Sequence, residues 1–325
     1  MIVDLFAGPG GWDVGGGDLG LRPVGLELDA AACQTRAAAG HLTIRADVAH
    51  YPPSPFAGAE GLIASPPCTD FSTAGRRAGI DGESGALIFT VPAWVDAIRP
   101  RWIACEQVPP VLPYWRAFGR SWEALGYRWW AGILNSADYG VPQTRRRAIL
   151  MAHRDRQPMP ADPTHSRYPG GFDGLRPWVS MADALGWDRN LVLHTRRGQG
   201  PDGSTQTITL DRPAPTATGA PGQWALRAGP QKNATTRTLD EPAPTILAAF
   251  DNGGCKWVCG RPATTVMGDA SGRVVRVSLT ELAIIQGFDA GYPFQGNRSK
   301  RAEQIGNAVP PPLARAVLAS LIGAV

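Results

Sequence analysis

The first 152 residues alternate short apolar runs with stretches of helical periodicity. This alternation constrains the fold most, because strands that alternate with helices build a parallel sheet covered on both faces. Seven runs have the character of buried strands, namely MIVDLF, PVGLEL, LTIRAD, GLIAS, RWIACEQV, YRWWAGILN and RRAILMA. Three segments between them have helical spacing: DAAACQTRAAAG, ALIFTVPAWVDAI, which Pro92 must kink or shorten, and YWRAFGRSWEALG. We therefore predict an α/β fold with a mostly parallel sheet and helices on both faces.

The character of the chain changes after residue 154. Gly, Pro, Thr and Asp dominate residues 155–268, where TLDRPAPT (209–216) returns as TLDEPAPT (238–245) and as a degraded CGRPATT (259–265). We interpret these repeats as hairpin corners of a small β-rich domain, although some of the turns could instead present Thr to a nucleic-acid groove. Helical patterns return in VSLTELAIIQGF, which has a cap-like start, and in PPPLARAVLASLIG, which has proline in its first turn. We expect three parts: 1–154, 155–268 and 269–325.

Composition narrows the class of protein. The net charge of +4 is compatible with an anionic partner but is weak evidence by itself. The five cysteines form no disulfide framework, and their odd number without a secretory signal points to a reducing, cytoplasmic setting. CKWVC at 255–259 has no second pair and no nearby histidine, so we do not predict a zinc site there. No apolar run approaches the roughly 18 residues of a membrane span, so we expect a soluble protein.

A glycine-rich turn follows the first predicted strand in VDLFAGPGGW. Gly8, Gly10 and Gly11 allow a tight turn and the close approach of a ligand to a helix N-terminus. Glu27 ends the second predicted strand, where an acid suits a ribose diol, and Asp47 ends the third, where it could accept from an adenine amino group. A full G-x-G-x-x-G and a G-K-[ST] are both missing, which disfavours a dinucleotide and a nucleoside triphosphate. These residues predict a nucleoside cofactor.

A second set of reactive side chains follows the next two strands. Cys68 stands behind Pro66 and Pro67 in SPPC, where the prolines restrict the backbone that carries the thiol. A free thiol has a pKa of about 8.5, so a nucleophile needs the positive neighbourhood that nearby arginines supply. Glu106 ends the fifth strand and is also followed by prolines. A nucleophile and a carboxylic acid beside a nucleoside cofactor predict a group-transfer site, the alternative being a buried structural cysteine and a capping glutamate.

Six segments resemble, in order, the motifs of the DNA (cytosine-5)-methyltransferases of bacteria and phages: DLFAGPGG, SPPC, EQV, QTRRR, SLTELAIIQGF and QIGNAVPPPLARAV. The resemblance covers essentially the whole chain except the variable segment 155–265. It implies a class I, Rossmann-like methyltransferase fold with a target-recognition domain at 155–268. It also implies the transfer of a methyl group from S-adenosyl-L-methionine to C5 of a cytosine that is flipped out of double-stranded DNA.

The resemblance assigns a role to each matching residue. Cys68 would attack C6 of the base, Glu106 would hold N3 and the exocyclic amine, and Arg147 would lie against O2, with Arg145 and Gln143 in support. The cofactor would be held by Phe6, Gly8, Pro9, Gly10, Gly11, Glu27, Leu28, Asp47, Val48, Pro67, Leu87, Asn307 and Ala308. Because the last two are far from the glycine turn in the sequence, the resemblance also implies that the C-terminal segment 269–325 returns to the catalytic domain. The loop at 71–85, with Ser72, Arg76 and Arg77, would close over the base, and Thr245 and Thr265 are candidate groove contacts. The base that removes the C5 proton is not identified.

The chain departs from the family pattern at two positions. Gln107 stands where asparagine is usual and is expected to be tolerated, and Leu28 stands where an aromatic residue is common, so adenine stacking is expected on one side only. A binding protein that has lost catalysis is disfavoured by the joint presence of Cys68, Glu106 and Arg147, and an RNA methyltransferase by the long variable segment. We expect a cytoplasmic monomer from a GC-rich bacterial or phage genome, and a cognate restriction endonuclease is a candidate partner.

Overall fold

The computed structural model describes residues 1–67, 82–168, 174–186 and 278–324, together with five short strands between 192 and 275. The residues Cys68, Ser72, Arg76, Arg77, Thr245 and Thr265 lie outside the described residues. The repeats at 209–216 and 259–265 and the CKWVC segment lie there too, as does most of the repeat at 238–245.

Eight strands precede residue 154: β1 (Ile2–Leu5), β2 (Pro23–Glu27), β3 (Leu42–Arg45), β4 (Gly61–Ala64), β5 (Trp102–Gln107), β6 (Arg128–Asn135), β7 (Gln143–Thr144) and β8 (Arg146–His153). All except β7 form one sheet in the order β3-β2-β1-β4-β5-β8-β6. The pairs from β3 to β5 are parallel, whereas β8 runs antiparallel between β5 and β6. The seven predicted strands and the mostly parallel sheet are confirmed.

Shorter strands follow the central sheet: β9 (His165–Ser166), β10 (Arg176–Pro177), β11 (Val192–Thr195), β12 (Gln206–Thr207), β13 (Ala243–Pro244), β14 (Met267–Gly268) and β15 (Val274–Val275). Strands β12, β11, β14 and β15 form an antiparallel sheet, and β13 pairs in parallel with β7. The β13–β7 pair joins the variable segment to the strand that precedes Arg147.

The α-helices are α1 (Gly11–Gly17), α2 (Ala30–Ala38), α3 (Glu83–Ala86), α4 (Thr90–Ile98), α5 (Leu112–Glu123), α6 (Met181–Leu185), α7 (Leu279–Ile285), α8 (Arg298–Asn307) and α9 (Pro311–Ile322). Short 3-10 turns occupy Ser54–Phe56, Leu87–Phe89, Pro109–Val111 and Ser136–Tyr139. Pro92 shortens the predicted helix, because α4 begins at Thr90 and places Pro92 in its first turn, where no hydrogen bond is lost. The cap-like start predicted for α7 is confirmed at Ser278, which forms a capping box with Glu281.

Alternate residues of each strand point to opposite faces of the central sheet. Helices cover both faces. On one face, Leu62 and Ile103 pack with aromatic residues of α4 and α5. On the other face, Ile63, Trp102 and Ala104 pack with residues of α9. Helix α6 packs against α7 through Met181 and Ala182, in a third cluster formed largely by the C-terminal residues. Part of the segment 155–268 therefore belongs to the packed body of the catalytic region.

The C-terminal segment packs closely against the first helix. A Cβ atom on Gly11 would lie 2.2 Å from the carbonyl oxygen of Val309, and one on Gly15 would lie 2.5 Å from that of Pro311. These glycines therefore serve the close packing of α1 against α9. The stretch Arg298–Ile322 has the length and apolar character of a membrane span, but 67% of that window is buried and the stretch is divided into α8 and α9. It behaves as a pair of core helices.

Candidate active site

The turn between β1 and α1 has an unusual backbone conformation. Phe6 has φ of 59°, Gly8 of 55° and Gly10 of 103°. A positive φ is uncommon for a bulky residue such as phenylalanine, and conformations of this kind occur most often at functional sites. A Cβ atom on Gly8 would meet nothing within 4 Å, so the space over this part of the turn is open. The turn therefore offers exposed backbone at the end of β1.

The carboxylate of Glu27 is fixed at the end of β2. The amide N–H of Gly8 donates to Oε2 at 2.8 Å, and that of Asp29 donates to Oε1 at 2.7 Å. Each carboxylate oxygen retains a further lone pair for a ligand. Because both oxygens are already oriented, the carboxylate can accept from a diol without rearranging.

The side chain of Asp47 lies two residues beyond β3. Its Oδ2 accepts from His50 Nδ1 at 2.7 Å, and its Oδ1 accepts from the amide of Ala49 at 3.0 Å. The hydrogen bond from His50 is the main cause that lowers the pKa of Asp47, which therefore remains an acceptor at neutral pH. The neighbouring Val48 is buried, and its carbonyl accepts from Trp94 Nε1 at 3.2 Å. Leu28 is 60% exposed, which leaves an apolar surface beside Glu27.

The turn that leads to Cys68 is held from two sides. Trp12 Nε1 donates to Ser65 Oγ at 2.8 Å, and Gln107 Nε2 donates to the carbonyl of Pro66 at 2.6 Å. Gln107 Oε1 also accepts from the amide of Val108, so this buried side chain uses both ends of its amide. The residue that departs from the family pattern therefore braces the SPP turn, whose last described residue, Pro67, is exposed.

Glu106 and Arg147 form a buried ion pair. The distance from Arg147 Nε to Glu106 Oε1 is 2.7 Å, and each side chain is 7% exposed. In the antiparallel pairing of β5 with β8, Glu106 lies opposite Ile149, and Arg147 is its diagonal neighbour two residues away on the same face. Nη1 of Arg147 also donates to the carbonyl of Arg146 at 2.8 Å. The strand reversal at β8 thus places a guanidinium directly against the carboxylate that ends β5.

Gln143 and Arg145, from the same QTRRR segment, are also buried. Gln143 Nε2 donates to Gln286 Oε1 at 2.7 Å. The carbonyl of Arg145 accepts from the amide of Ser136 at 2.9 Å and from its hydroxyl at 3.2 Å. These contacts fix the chain that leads into β8 and Arg147.

The remaining predicted cofactor residues come from three regions. Leu87 is half-buried in the 3-10 turn before α4. Asn307 is exposed at the end of α8, and Ala308 after it is buried, with its carbonyl accepting from Gln286 Nε2 at 2.6 Å. The carbonyl of Pro9 accepts from the hydroxyl of Tyr292 at 2.5 Å.

Several residues that support the site are absent from the sequence-based prediction. They include Trp12 and Tyr292, and Gln286, which lies inside the SLTELAIIQGF motif. Arg36 is fully buried beneath the glycine turn, where it forms a bidentate pair with Asp13 at 2.7 and 2.9 Å. The feature of the sequence that could have identified Trp12 as a site residue is its position directly after the glycine turn. The partners of all four residues are distant in sequence, so spacing along the chain gives no sign of them.

Among the described residues, no group of three or more His, Cys, Asp and Glu side chains could hold a metal ion. The described part of the site contains four features near the ends of strands of the central sheet. They are the fixed carboxylate of Glu27 at the end of β2, the acceptor Asp47 after β3, the braced SPP turn after β4, and the buried Glu106–Arg147 pair on β5 and β8.

Known proteins are similar to this chain in sequence and in fold. The sequence profile described as C-5 cytosine-specific DNA methylase matches residues 1–171 and 246–323. The type II methyltransferase M.NgoFVII of Neisseria gonorrhoeae is 26% identical over 327 residues, which cover 95% of this chain and 83% of that protein. The type II methyltransferase M.AplI of Arthrospira platensis is 26% identical over 350 residues, covering 99% and 85%. The solved structure of the S. pombe Dnmt2 methyltransferase has a TM-score of 0.61 at 12% identity, covering 99% of this chain and 98% of that one, and so shares its fold.

Proposed function

The chain belongs to the C-5 cytosine-specific DNA methylase family and is a DNA cytosine-5 methyltransferase, and we propose that it methylates a flipped-out cytosine, within one specific duplex sequence, through a covalent bond from Cys68. The observation that carries the proposal is the buried ion pair between Glu106 on β5 and Arg147 on β8. Strand β5 is the neighbour of β4, which leads into the braced SPP turn. Carboxylic acid, guanidinium and thiol are the groups that activation of a cytosine ring requires.

The residues around the glycine turn fit S-adenosyl-L-methionine as the cofactor. Glu27 would accept from the ribose hydroxyls, Asp47 would accept from the adenine amine, and the open space above Gly8 leaves room for the backbone to meet the ligand. Phe6 and Leu28 would offer apolar contact to the adenine ring, and Asn307 would reach the cofactor from the C-terminal segment. Val48, Leu87 and Pro67 complete the proposed site. When bound, the cofactor supplies an electrophilic methyl group on its sulfonium.

The chain's own residues would make the base nucleophilic. The Cys68 thiolate would add to C6, which converts the ring into an enamine with electron density at C5. Glu106 would hold N3 and the exocyclic amine as charge develops, and Arg147 would contact O2. After methylation, loss of the C5 proton would release the thiolate and restore the aromatic ring. The Glu106–Arg147 pair satisfies both groups, and the base would replace part of this pair.

Recognition of DNA is proposed for the segments on either side of this site. Flipping the base costs a few kcal/mol, so contacts with the duplex must offset it. We assign closure over the base to residues 71–85, with Ser72, Arg76 and Arg77. We assign target reading to residues 155–268, with Thr245 and Thr265 as candidate contacts. The type II relatives make a restriction endonuclease of the same specificity a candidate partner, and we propose a monomer acting in the cytoplasm.

The test is methyl transfer from labelled S-adenosyl-L-methionine to mixed-sequence duplex DNA, with positions read by bisulfite sequencing. Label at C5 within one short motif is expected, and Cys68→Ala is expected to lower the rate by more than about 10³-fold because the nucleophile is lost. A cysteine-dependent covalent complex with DNA that contains 5-fluorocytosine is also expected. A wild-type chain that binds duplex DNA without labelling it would contradict the proposal. Preferential labelling of tRNA in direct competition would redirect it to RNA.

A further inference from the structure

The side chain of Gln286 occupies a position between the two halves of the site. It is the residue that caps the C-terminus of α7, is fully buried, and uses both ends of its amide. Its Oε1 accepts from Gln143 Nε2 at 2.7 Å, and its Nε2 donates to the carbonyl of Ala308 at 2.6 Å. One amide therefore connects two segments that are 165 residues apart in the sequence.

Each of the two partners belongs to a different binding region. Gln143 starts β7, four residues before Arg147, whose guanidinium pairs with Glu106. Ala308 directly follows Asn307 and precedes Val309, whose carbonyl lies against Gly11 in the glycine turn. The first region is the proposed base site and the second is the proposed cofactor site. The hydrogen bonds of Gln286 thus reach both segments.

Only a primary amide suits this position. Buried polar groups need hydrogen-bond partners, and here one partner is a donor and the other a carbonyl acceptor. Methionine has a similar volume but supplies neither bond. Glutamate could still accept from Gln143, but it would place an acceptor against the carbonyl of Ala308. Either replacement leaves a buried group unsatisfied, which is the costly situation for a hydrogen bond.

We propose that Gln286 is a positioning residue that couples the affinity for S-adenosyl-L-methionine to the conformation of the Gln143–Arg147 segment. This inference rests on the proposed function, because it takes the Asn307–Ala308 turn as part of the cofactor site. A disturbance of Gln143 is then transmitted through the amide to Ala308. If the amide of residue 286 is lost, the Gln143–Arg147 segment and the Asn307–Ala308 turn are no longer connected through it. A change in one segment then no longer affects the other.

The test is a double-mutant cycle on the full chain, with S-adenosyl-L-methionine affinity measured by titration calorimetry. Gln143→Leu is expected to weaken cofactor binding about five- to tenfold, because it removes the bond to Gln286 together with a longer one to the carbonyl of Ile285. Gln286→Met is expected to weaken it to a similar degree. Adding Gln143→Leu to Gln286→Met is expected to cause no further loss, because the connection is already broken.

Two further variants separate coupling from general destabilisation. Thr35→Val removes a buried hydrogen bond to Gln304 of 2.6 Å and another from the Gln295 amide of 2.7 Å. It loosens the same C-terminal segment but leaves the hydrogen bonds of Gln286 to Gln143 and Ala308 in place. It should therefore lower the melting temperature without changing cofactor affinity. Gln286→Glu keeps the acceptor for Gln143 and should weaken cofactor binding as Gln286→Met does, which preserves the test if the methionine variant fails to fold.

The results separate the inference from the function on which it rests. A wild-type chain that binds no cofactor and labels no DNA would overturn the proposed function. A wild-type chain that does both, combined with losses from Gln143→Leu and Gln286→Met that simply multiply, would overturn the coupling alone. The same follows if Gln143→Leu lowers turnover on DNA while leaving cofactor affinity unchanged, or if Thr35→Val reproduces the affinity loss.

Discussion

Gln107 has one methylene more than asparagine and contacts the turn that leads to the proposed nucleophile. Its longer side chain still reaches the carbonyl of Pro66, at 2.6 Å, and accepts from the amide of Val108. We infer that the SPP turn of this chain is adjusted to glutamine, and that asparagine, which is shorter by one methylene, would lose the bond to Pro66 in this backbone.

We predict that Gln107→Asn lowers the turnover number about tenfold and leaves S-adenosyl-L-methionine affinity unchanged, because it loosens the turn that carries the proposed nucleophile. Steady-state kinetics on duplex DNA measure the first effect and calorimetry the second. Gln157→Asn is the matched control, since Gln157 is exposed and its Nε2 donates to the carbonyl of Trp129 far from the turn. A rise in turnover on Gln107→Asn would show that the turn is not adjusted to glutamine.

Asp4 is a second residue whose chemistry is decided by its surroundings. It lies fully buried on β1, where neither carboxylate oxygen has a hydrogen-bond partner among the residues that the structure describes. Burial, followed by the nearby charge of Asp13, raises the pKa of Asp4 well above its ordinary value. An unfolded aspartate ionises near pH 3.9, so above that pH unfolding releases a proton that the folded protein retains.

We predict that Asp4 makes the protein less stable as the pH rises from its unfolded pKa toward its raised folded pKa. The slope from this one group is at most about 1.4 kcal/mol per pH unit. Asp4→Asn cannot ionise, so the free energy of unfolding of this variant, relative to wild type, should increase with pH across the same window. Urea unfolding at several pH values from 5 to 8 measures this difference, and parallel profiles for the two proteins would contradict it.

At the scale of helices and strands, an element can be predicted from the sequence when its own residues determine its structure. The seven strands are recognisable because each is a short apolar run, and the central strands β1, β4 and β5 are buried on both faces. Helix α8 is not recognisable, because RSKRAEQIGN is polar and buries only Gln304, Ile305 and Gly306. Glu27 and Glu106 are predicted as site residues because they end strands. Trp12, Gln107 and Gln286 owe their roles to partners that only the folded chain brings near.

The packing of α1 against α9 gives a prediction at this scale. Gly11→Ala would force a methyl group against the carbonyl of Val309, so we expect a loss of about 1–3 kcal/mol in stability and weaker cofactor binding as the turn shifts. Gly17→Ala is the matched control in the same helix, since a Cβ there would meet nothing within 4 Å. It should leave binding unchanged and raise stability by up to about 1 kcal/mol through helix propensity. Denaturant unfolding and calorimetry compare the two variants, and equal effects would show that close packing is not the reason for Gly11.

The whole molecule assembles its catalytic body from distant parts of the chain. The C-terminal segment covers one face of the sheet through α9 and reaches the glycine turn through Val309 and Tyr292. Helix α6, from within the segment that we assign to target reading, packs against α7 of that C-terminal segment. The boundary between the proposed target-reading segment and the catalytic body is therefore determined by packing. Composition alone does not reveal it.

This arrangement predicts the result of removing the variable segment. Helix α6 ends at Leu185 and α7 begins at Leu279, and both belong to one hydrophobic cluster with Met181 and Leu282. A flexible linker of about 12 residues spans roughly 20 Å, so it should replace residues 187–277 without separating the two helices. We expect the shortened protein to unfold cooperatively, to bind S-adenosyl-L-methionine within about threefold of the wild-type affinity, and to lose sequence-specific methylation of duplex DNA, because the proposed recognition contacts are gone.

A second deletion that removes 174–277 tests whether α6 belongs to the body. It would uncover the face of α7 on which Met181 and Ala182 pack, so the free energy of unfolding should fall by several kcal/mol relative to the first deletion. Chemical denaturation and cofactor titration distinguish the two proteins. Equal stabilities would place α6 outside the body. Loss of cofactor binding in the first deletion would show that residues 187–277 help to form the cofactor site itself, and specificity and catalysis would then be inseparable in this chain.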